Sequence, residues 1–172
     1  SQLEVPADPV AGTCRFCLKS RDIPGAVIFK EVPAMVPHHA TEWKFNHSWT
    51  ISAWIRKPGP GSSAAEYIVV KWADGYSMGA PFVYLRLNKV GDGSAGKYTA
   101  AAGVAVSGGT REVTSSEVTL SNTAWHHVAG TYDGQQVKVF VDGIGVGTSS
   151  ATSTTLYASS NPDFPLMLGK GF

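Results

Sequence analysis

Apolar and polar positions alternate one by one through much of this chain. Trp49, Ile51, Ala53 and Ile55 fall on one side of the segment Trp49–Arg56, and Thr50, Ser52, Trp54 and Arg56 fall on the other. A period of two is the mark of a strand with one buried face. A second phrase, Trp125-His-His-Val-Ala-Gly-Thr-Tyr-Asp-Gly134, runs straight into Gln135-Gln-Val-Lys-Val-Phe-Val-Asp-Gly143 and predicts a hairpin. Asp133-Gly134 would supply the positive φ angles of a tight connection, with Val137, Val139 and Val141 lining one face of the returning arm. The same alternation predicts strands at Ala26–Phe29, Thr41–Phe45, Glu66–Trp72, Phe82–Asn88, Lys97–Val106, Arg111–Thr119, Ile144–Thr148 and Leu166–Leu168. Helical periodicity is nowhere sustained. Turn chemistry separates the runs, at Lys57-Pro-Gly-Pro-Gly-Ser-Ser63, Asp74-Gly75, Gly91-Asp-Gly93, Gly108-Gly109 and Asp142-Gly143.

So many short strands imply an all-β chain of two packed antiparallel sheets, and the lack of any fixed-period repeat disfavours a propeller or solenoid. At 172 residues and 43% hydrophobic, the chain is long enough for one domain with a sizeable core. A formal charge of +1, with Lys and Arg scattered, gives no field for gathering phosphate backbones, so nucleic acid is not an expected partner. No apolar run reaches the roughly 20 residues that cross a bilayer, and Ser1-Gln-Leu-Glu-Val-Pro6 lacks a signal-peptide pattern, so the chain reads as soluble as written.

The phrases Trp49–Arg56 and Trp125–Gly143 together resemble the laminin-G-like, concanavalin-A-like jelly-roll family, in which similar segments form neighbouring strands of a two-sheet sandwich. The resemblance covers about residues 25–172 and implies a jelly-roll β-sandwich used for binding more than for catalysis. Residues 1–24, with Pro6, Pro9 and Pro24, read as an N-terminal arm or edge segment. In the family a strand near the beginning pairs with one near the end, where a phrase with a Gly, an Ile-Asp and an Arg follows the Leu-Gly step. Here the chain stops at Leu166-Met-Leu-Gly-Lys-Gly-Phe172, so the closing strand is expected to be missing or its place covered by something else.

The polar faces offer candidate chemistry. Trp54 and Arg56, Tyr84 and Arg86, and Lys138 and Phe140 each alternate away from the aliphatic side of their strands. If those faces coincide they form an aromatic, basic surface of the kind a glycan needs, with flat rings for C–H faces and donors for hydroxyls. Two readings stay open, a glycan surface or a second core layer beneath loops. The loops Trp72-Ala-Asp-Gly-Tyr-Ser-Met78 and His38-His39-Ala-Thr-Glu42-Trp43 add Trp72, Asp74 and Tyr76 as candidate ligand contacts, while Trp43 and Trp72 also read as loop anchors.

Calcium is the cofactor the resemblance implies, but the carboxylate positions are poorly kept: the stretch after Ile28-Phe29 reads Lys-Glu-Val-Pro, and Asp74, Asp92, Asp133 and Asp142 all adjoin glycines as turn residues do. No metal ligand is assigned. Cys14 and Cys17 have the spacing of half a zinc site without the other half, and adjacent His38 and His39 point opposite ways on an extended chain. A local disulfide, an intermolecular disulfide and two inert thiols are all open, the compartment deciding among them. Asn46-His-Ser48 matches the N-glycosylation acceptor pattern.

Catalysis is not expected. Glucanases of this fold class need two carboxylates flanking the scissile bond, in a pattern that resembles Glu-x-Asp-x-x-Glu, and none is present. Glu112 and Glu117, five apart, would point to opposite faces of a regular strand. His127 alternates with Trp125 and Ala129 and reads as structural; no nucleophile elbow or phosphate loop occurs. The sequence therefore predicts a non-catalytic extracellular or cell-surface module that recognises carbohydrate. The alternatives are a structural subunit of a fibre, appendage or particle coat that contacts copies of itself or other proteins, and an accessory domain of a polysaccharide-active enzyme.

Overall fold

The structure, a computed structural model, describes residues 33–36, 48–57, 63–72, 81–92, 94–106, 109–120, 124–150 and 165–170, all within the compact unit Glu31–Phe172. Every regular element among them is a strand: β1 (Ala34–Val36), β2 (Trp49–Ile55), β3 (Ala65–Trp72), β4 (Pro81–Lys89), β5 (Lys97–Val106), β6 (Gly109–Thr119), β7 (His126–Tyr132), β8 (Val137–Val141), β9 (Ile144–Thr148) and β10 (Leu166–Lys170). They form a six-stranded antiparallel sheet, β1-β10-β3-β4-β5-β6, and a four-stranded one, β2-β7-β8-β9. The fold is a two-sheet jelly-roll β-sandwich. β1 is an element the alternation missed, because three residues cannot display a period. The strands expected at 26–29 and 41–45, and Cys14, Cys17, His38, His39, Asp74 and Tyr76, lie outside the described residues.

The two phrases read from sequence are neighbours, β2 pairing β7 from Trp49↔Tyr132 to Ile55↔His126. β10 sits between β1 and β3, which places the last strand in the interior of its sheet. The inner faces meet through Trp49, Leu85, Leu87, Ala100, Ala102, Val104, Val128, Val137 and Val139, all buried. At Gly130 a side chain would stand 2.7 Å from the Cβ of Ala102, so the close approach of the sheets there requires glycine. Removing this apolar surface from water is the main stabilising contribution.

The hairpin turns differ from one another. Val141↔Ile144 leaves two residues, Asp142 at φ 50° and Gly143 at φ 80°, in the left-handed pair that a tight hairpin needs. Between β7 and β8 the pairing continues past Tyr132↔Val137, with the Asp133 amide donating to the Gln136 carbonyl at 3.3 Å. The turn is thus centred on Gly134-Gln135, one residue later than Asp133-Gly134. Asp133 acts from beside it, its carboxylate accepting from the Gln135 and Gln136 amides at 2.9 and 2.7 Å.

Two bulges decide which residues share a face. On β3 the register steps from Tyr67↔Arg86 to Val69↔Leu85, so Ile68 and Val69 both turn inward, and Tyr67, Val70 and Trp72 all end on the outer face. On β6 it steps from Thr119, Val118 and Glu117 to Thr114, with Ser115 as the inward residue whose hydroxyl accepts from the Ala100 amide at 2.9 Å. This corrects the expectation for Glu112 and Glu117. The extra residue restores the phase, and both carboxylates stand on the outer face.

A buried ion pair lies at the margin of the core. Lys57 Nζ is 2.7 Å from Glu66, with side chains only 6% and 0% exposed, and 5.9 Å from the Tyr98 ring centroid.

Candidate functional site

The residues singled out from sequence separate onto the two outer faces of the sandwich. Trp54, Arg56, Lys138 and Phe140 belong to the four-stranded sheet, Trp72, Tyr84 and Arg86 to the six-stranded one. The single combined surface is therefore not formed. The core lies between its halves.

On the four-stranded face Trp54 is 65% exposed, and its ring lies 5.2 Å from that of His127, its cross-strand partner. Arg56 stands over the exposed Trp125 ring at 5.7 Å. Phe140 packs across the backbone of Gly145, and Lys138 reaches Asp133 at 3.7 Å. Beside them His126 Nδ1 lies 2.8 Å from Asp142, whose other oxygen accepts the His127 amide at 2.9 Å. The bond from His126, with that of the His127 amide, holds the Asp142 carboxyl below the usual carboxylate range although burial works the other way.

The six-stranded face carries the denser constellation. Tyr84 is 1% exposed and forms a second, small core with Val70 and Met167, against which Tyr67 and Trp72 pack half-buried. For Tyr84 the second-layer reading holds. Its ring crosses β5 at Gly103, where a side chain would come within 2.4 Å of it, and its hydroxyl donates to the Glu112 carboxylate on β6. Burial first, then the hydrogen bond to Glu112 and its charge, push the Tyr84 hydroxyl far above its ordinary range, so it stays protonated as a donor. Arg86 donates to the same Glu112 oxygen at 3.0 Å and to the Tyr67 hydroxyl at 3.2 Å, with its guanidinium 5.1 Å from the Tyr84 ring and 5.7 Å from the Tyr67 ring. Burial opposes the charge of Arg86, and Tyr67, Glu112 and Tyr84 together outweigh it, so its pKa is raised. The Thr114 hydroxyl donates to the second Glu112 oxygen at 3.1 Å. Tyr67 is 6.0 Å from both Trp72 and Tyr84, ring centroid to ring centroid.

Tyr67 is not among the residues the sequence singles out; simple alternation along β3 places it on the side of Val69 and Lys71. Glu112 was set aside as one of two stray acids. The β3 bulge turns Tyr67 to the face of Val70, and the register Tyr84↔Gly103↔Glu112 brings Glu112 across β5 to Arg86.

Among the described residues no three His, Cys, Asp or Glu side chains converge as metal ligands would. Asp92, Asp133 and Asp142 are each engaged in or beside their own turn, Asp92 by accepting from the Ser94 amide at 2.9 Å and hydroxyl at 2.6 Å. No helix among the described residues is long and apolar enough to cross a membrane.

None of the curated proteins matches this chain. Among solved structures it is similar to the CBM40 module of Ruminococcus gnavus IT-sialidase bound to alpha2,3 sialyllactose, at a TM-score of 0.52 and 14% identity over 81% of this chain and 76% of that one. The same module bound to alpha2,6 sialyllactose gives 0.52 and 15%, over 81% and 77%. Domains LG4-5 of the mouse laminin alpha1 chain give 0.47 and 13%, over 78% of this chain and 31% of that one. At such identities these likenesses are of fold. A laminin G family model, described as the concanavalin A-like lectin/glucanases superfamily, matches residues 33–172, most of the chain. By that match the chain belongs to the concanavalin A-like lectin/glucanase superfamily.

Proposed function

We propose that this chain is a non-catalytic carbohydrate-binding module whose site is the outer face of the six-stranded sheet, working outside the cell or at its surface. The observation that carries the reading is Arg86 held between Tyr67 and Glu112 while its side chain stays 21% exposed, that of Glu112 34%. A locked donor–acceptor pair beside half-buried Tyr67 and Trp72 suits a pyranose ring, whose hydroxyls both give and accept hydrogen bonds and whose C–H face packs on an aromatic ring. Preorganisation limits the cost of ordering side chains on binding.

Binding without cleavage is the reading supported by the spacing of the two acids that the described residues place on that face. Glu112 and Glu117 pair with Gly103 and Thr99, four residues apart on β5. At the rise of a strand that is about 13 Å, beyond the roughly 5 to 9.5 Å that glycoside hydrolysis uses.

A glycan array with the purified chain tests the proposal, followed by the same array on Tyr67→Ala and Trp54→Ala. Selective binding lost in Tyr67→Ala and kept in Trp54→Ala is expected. The reverse pattern would move the site to the four-stranded face, and a blank array for the folded wild type would sink it. A second reading, contact with protein neighbours, is favoured by exposed Trp54 and Trp125 on the four-stranded sheet; a self-associated mass in light scattering that falls in Trp54→Ala would support it.

A further inference from the structure

We infer that the six-stranded face takes uncharged saccharides and that Glu112 sets this selectivity by neutralising Arg86. The inference rests on the carbohydrate reading of the same face. An isolated arginine on a sheet face presents a fork that fits a carboxylate bidentately. Arg86 presents only part of it, and beside a carboxylate: one terminal nitrogen donates to Tyr67 at 3.2 Å and the other to Glu112 at 3.0 Å, each with a further N–H left over. Glu112 is itself held in place, one oxygen taking Tyr84 and Arg86 and the other taking Thr114 at 3.1 Å. Among the described residues Lys97 and Glu117 on this face pair with one another at 2.7 Å, and Lys170 holds the register position opposite Tyr67. Arg86 and Lys97 are each matched by a carboxylate of the same face.

A ligand carboxylate that reaches Arg86 therefore also reaches Glu112, and like charges placed together suppress the wrong partner. Neutral sugar meets no such penalty. A pair of neighbouring hydroxyls can accept from Arg86 and donate to Glu112 at once, leaving the cluster intact. Glu112 is thus a specificity-determining residue: it withholds the arginine from acids while offering sugars an acceptor.

The test uses neutral gluco-, galacto- and manno-oligosaccharides, each paired with a counterpart capped by a uronic or sialic acid, titrated into the wild-type chain and into Glu112→Gln. Glutamine keeps an acceptor for Tyr84 and Arg86 and removes the charge. The wild type is expected to favour the neutral member by more than about tenfold, with the gap narrowing at high salt, and Glu112→Gln to close or reverse it. Wild-type preference for the acidic member would overturn the inference while leaving carbohydrate binding in place. An unchanged ratio in folded Glu112→Gln would remove Glu112 from the role. If that variant does not fold, the salt series decides, since a gap indifferent to salt is not electrostatic exclusion and overturns it as well. Failure of the folded wild type to bind any saccharide would take down this inference and the reading beneath it together.

Discussion

Tyr84 reaches Glu112 only because Gly103 lies between them. The ring passes from β4 over the bare backbone of β5 to meet the carboxylate on β6, and a Cβ at residue 103 would stand 2.4 Å from its outer carbon and its oxygen. One absent side chain thus fixes the position of the acid that holds Arg86.

Gly103→Ala should displace the ring and break this contact. Overpacking of this kind costs about 1 to 3 kcal/mol, read as a lower urea midpoint at unchanged slope. The glycan affinity proposed for the face should fall with it. A variant as stable as the wild type with unchanged affinity would show that the ring can move aside without consequence.

Lys57→Met should be more damaging. It leaves the fully buried Glu66 carboxylate without the ammonium 2.7 Å away, and breaking a buried pair from one side costs about 3 to 5 kcal/mol. The double variant Lys57→Met, Glu66→Leu should recover most of the loss, because the pair is then removed from both sides. Urea denaturation of the single and double variants checks both statements.

Acid should act through Asp142. Its carboxyl is held below the usual range by the bond from His126 and the His127 amide. A group whose folded pKa is depressed contributes stability above its unfolded value near 4, and that contribution is lost as pH falls through the lower folded value. Because the Asp142 side chain is 47% exposed the effect is small, below about 1 kcal/mol. Asp142→Asn, which tolerates the positive φ of the turn, should flatten this part of the acid limb. Melting temperatures between pH 2 and about 5 provide the measurement.

Much of the fold was legible in the chain. Alternation located β2 through β10 to within a residue or two, as Ile144–Thr148 and Lys97–Val106 illustrate. It also assigned Tyr84 and Arg86 correctly to the side away from Leu85 and Leu87. The error over Glu112 and Glu117 has a definite cause. Period-two counting assumes an unbroken phase, and the phase breaks at Ile68-Val69 and Ser115-Ser116. Counting past the second sends Glu112 and Glu117 to opposite faces, while the first is what turns Tyr67 to the face of Val70.

The sequence by itself determined that the chain is a β-sandwich, because a strand's buried side and its turn residues are local properties, written within a few neighbours of each other. Which polar faces coincide was decided only in three dimensions. A bulge is set by the register against a partner strand, and the sheet to which a strand belongs is set by packing across the core. That is why Trp54 and Tyr84, alike in their local pattern, stand on opposite sides of the molecule, and why Arg86 meets Tyr67 and Glu112.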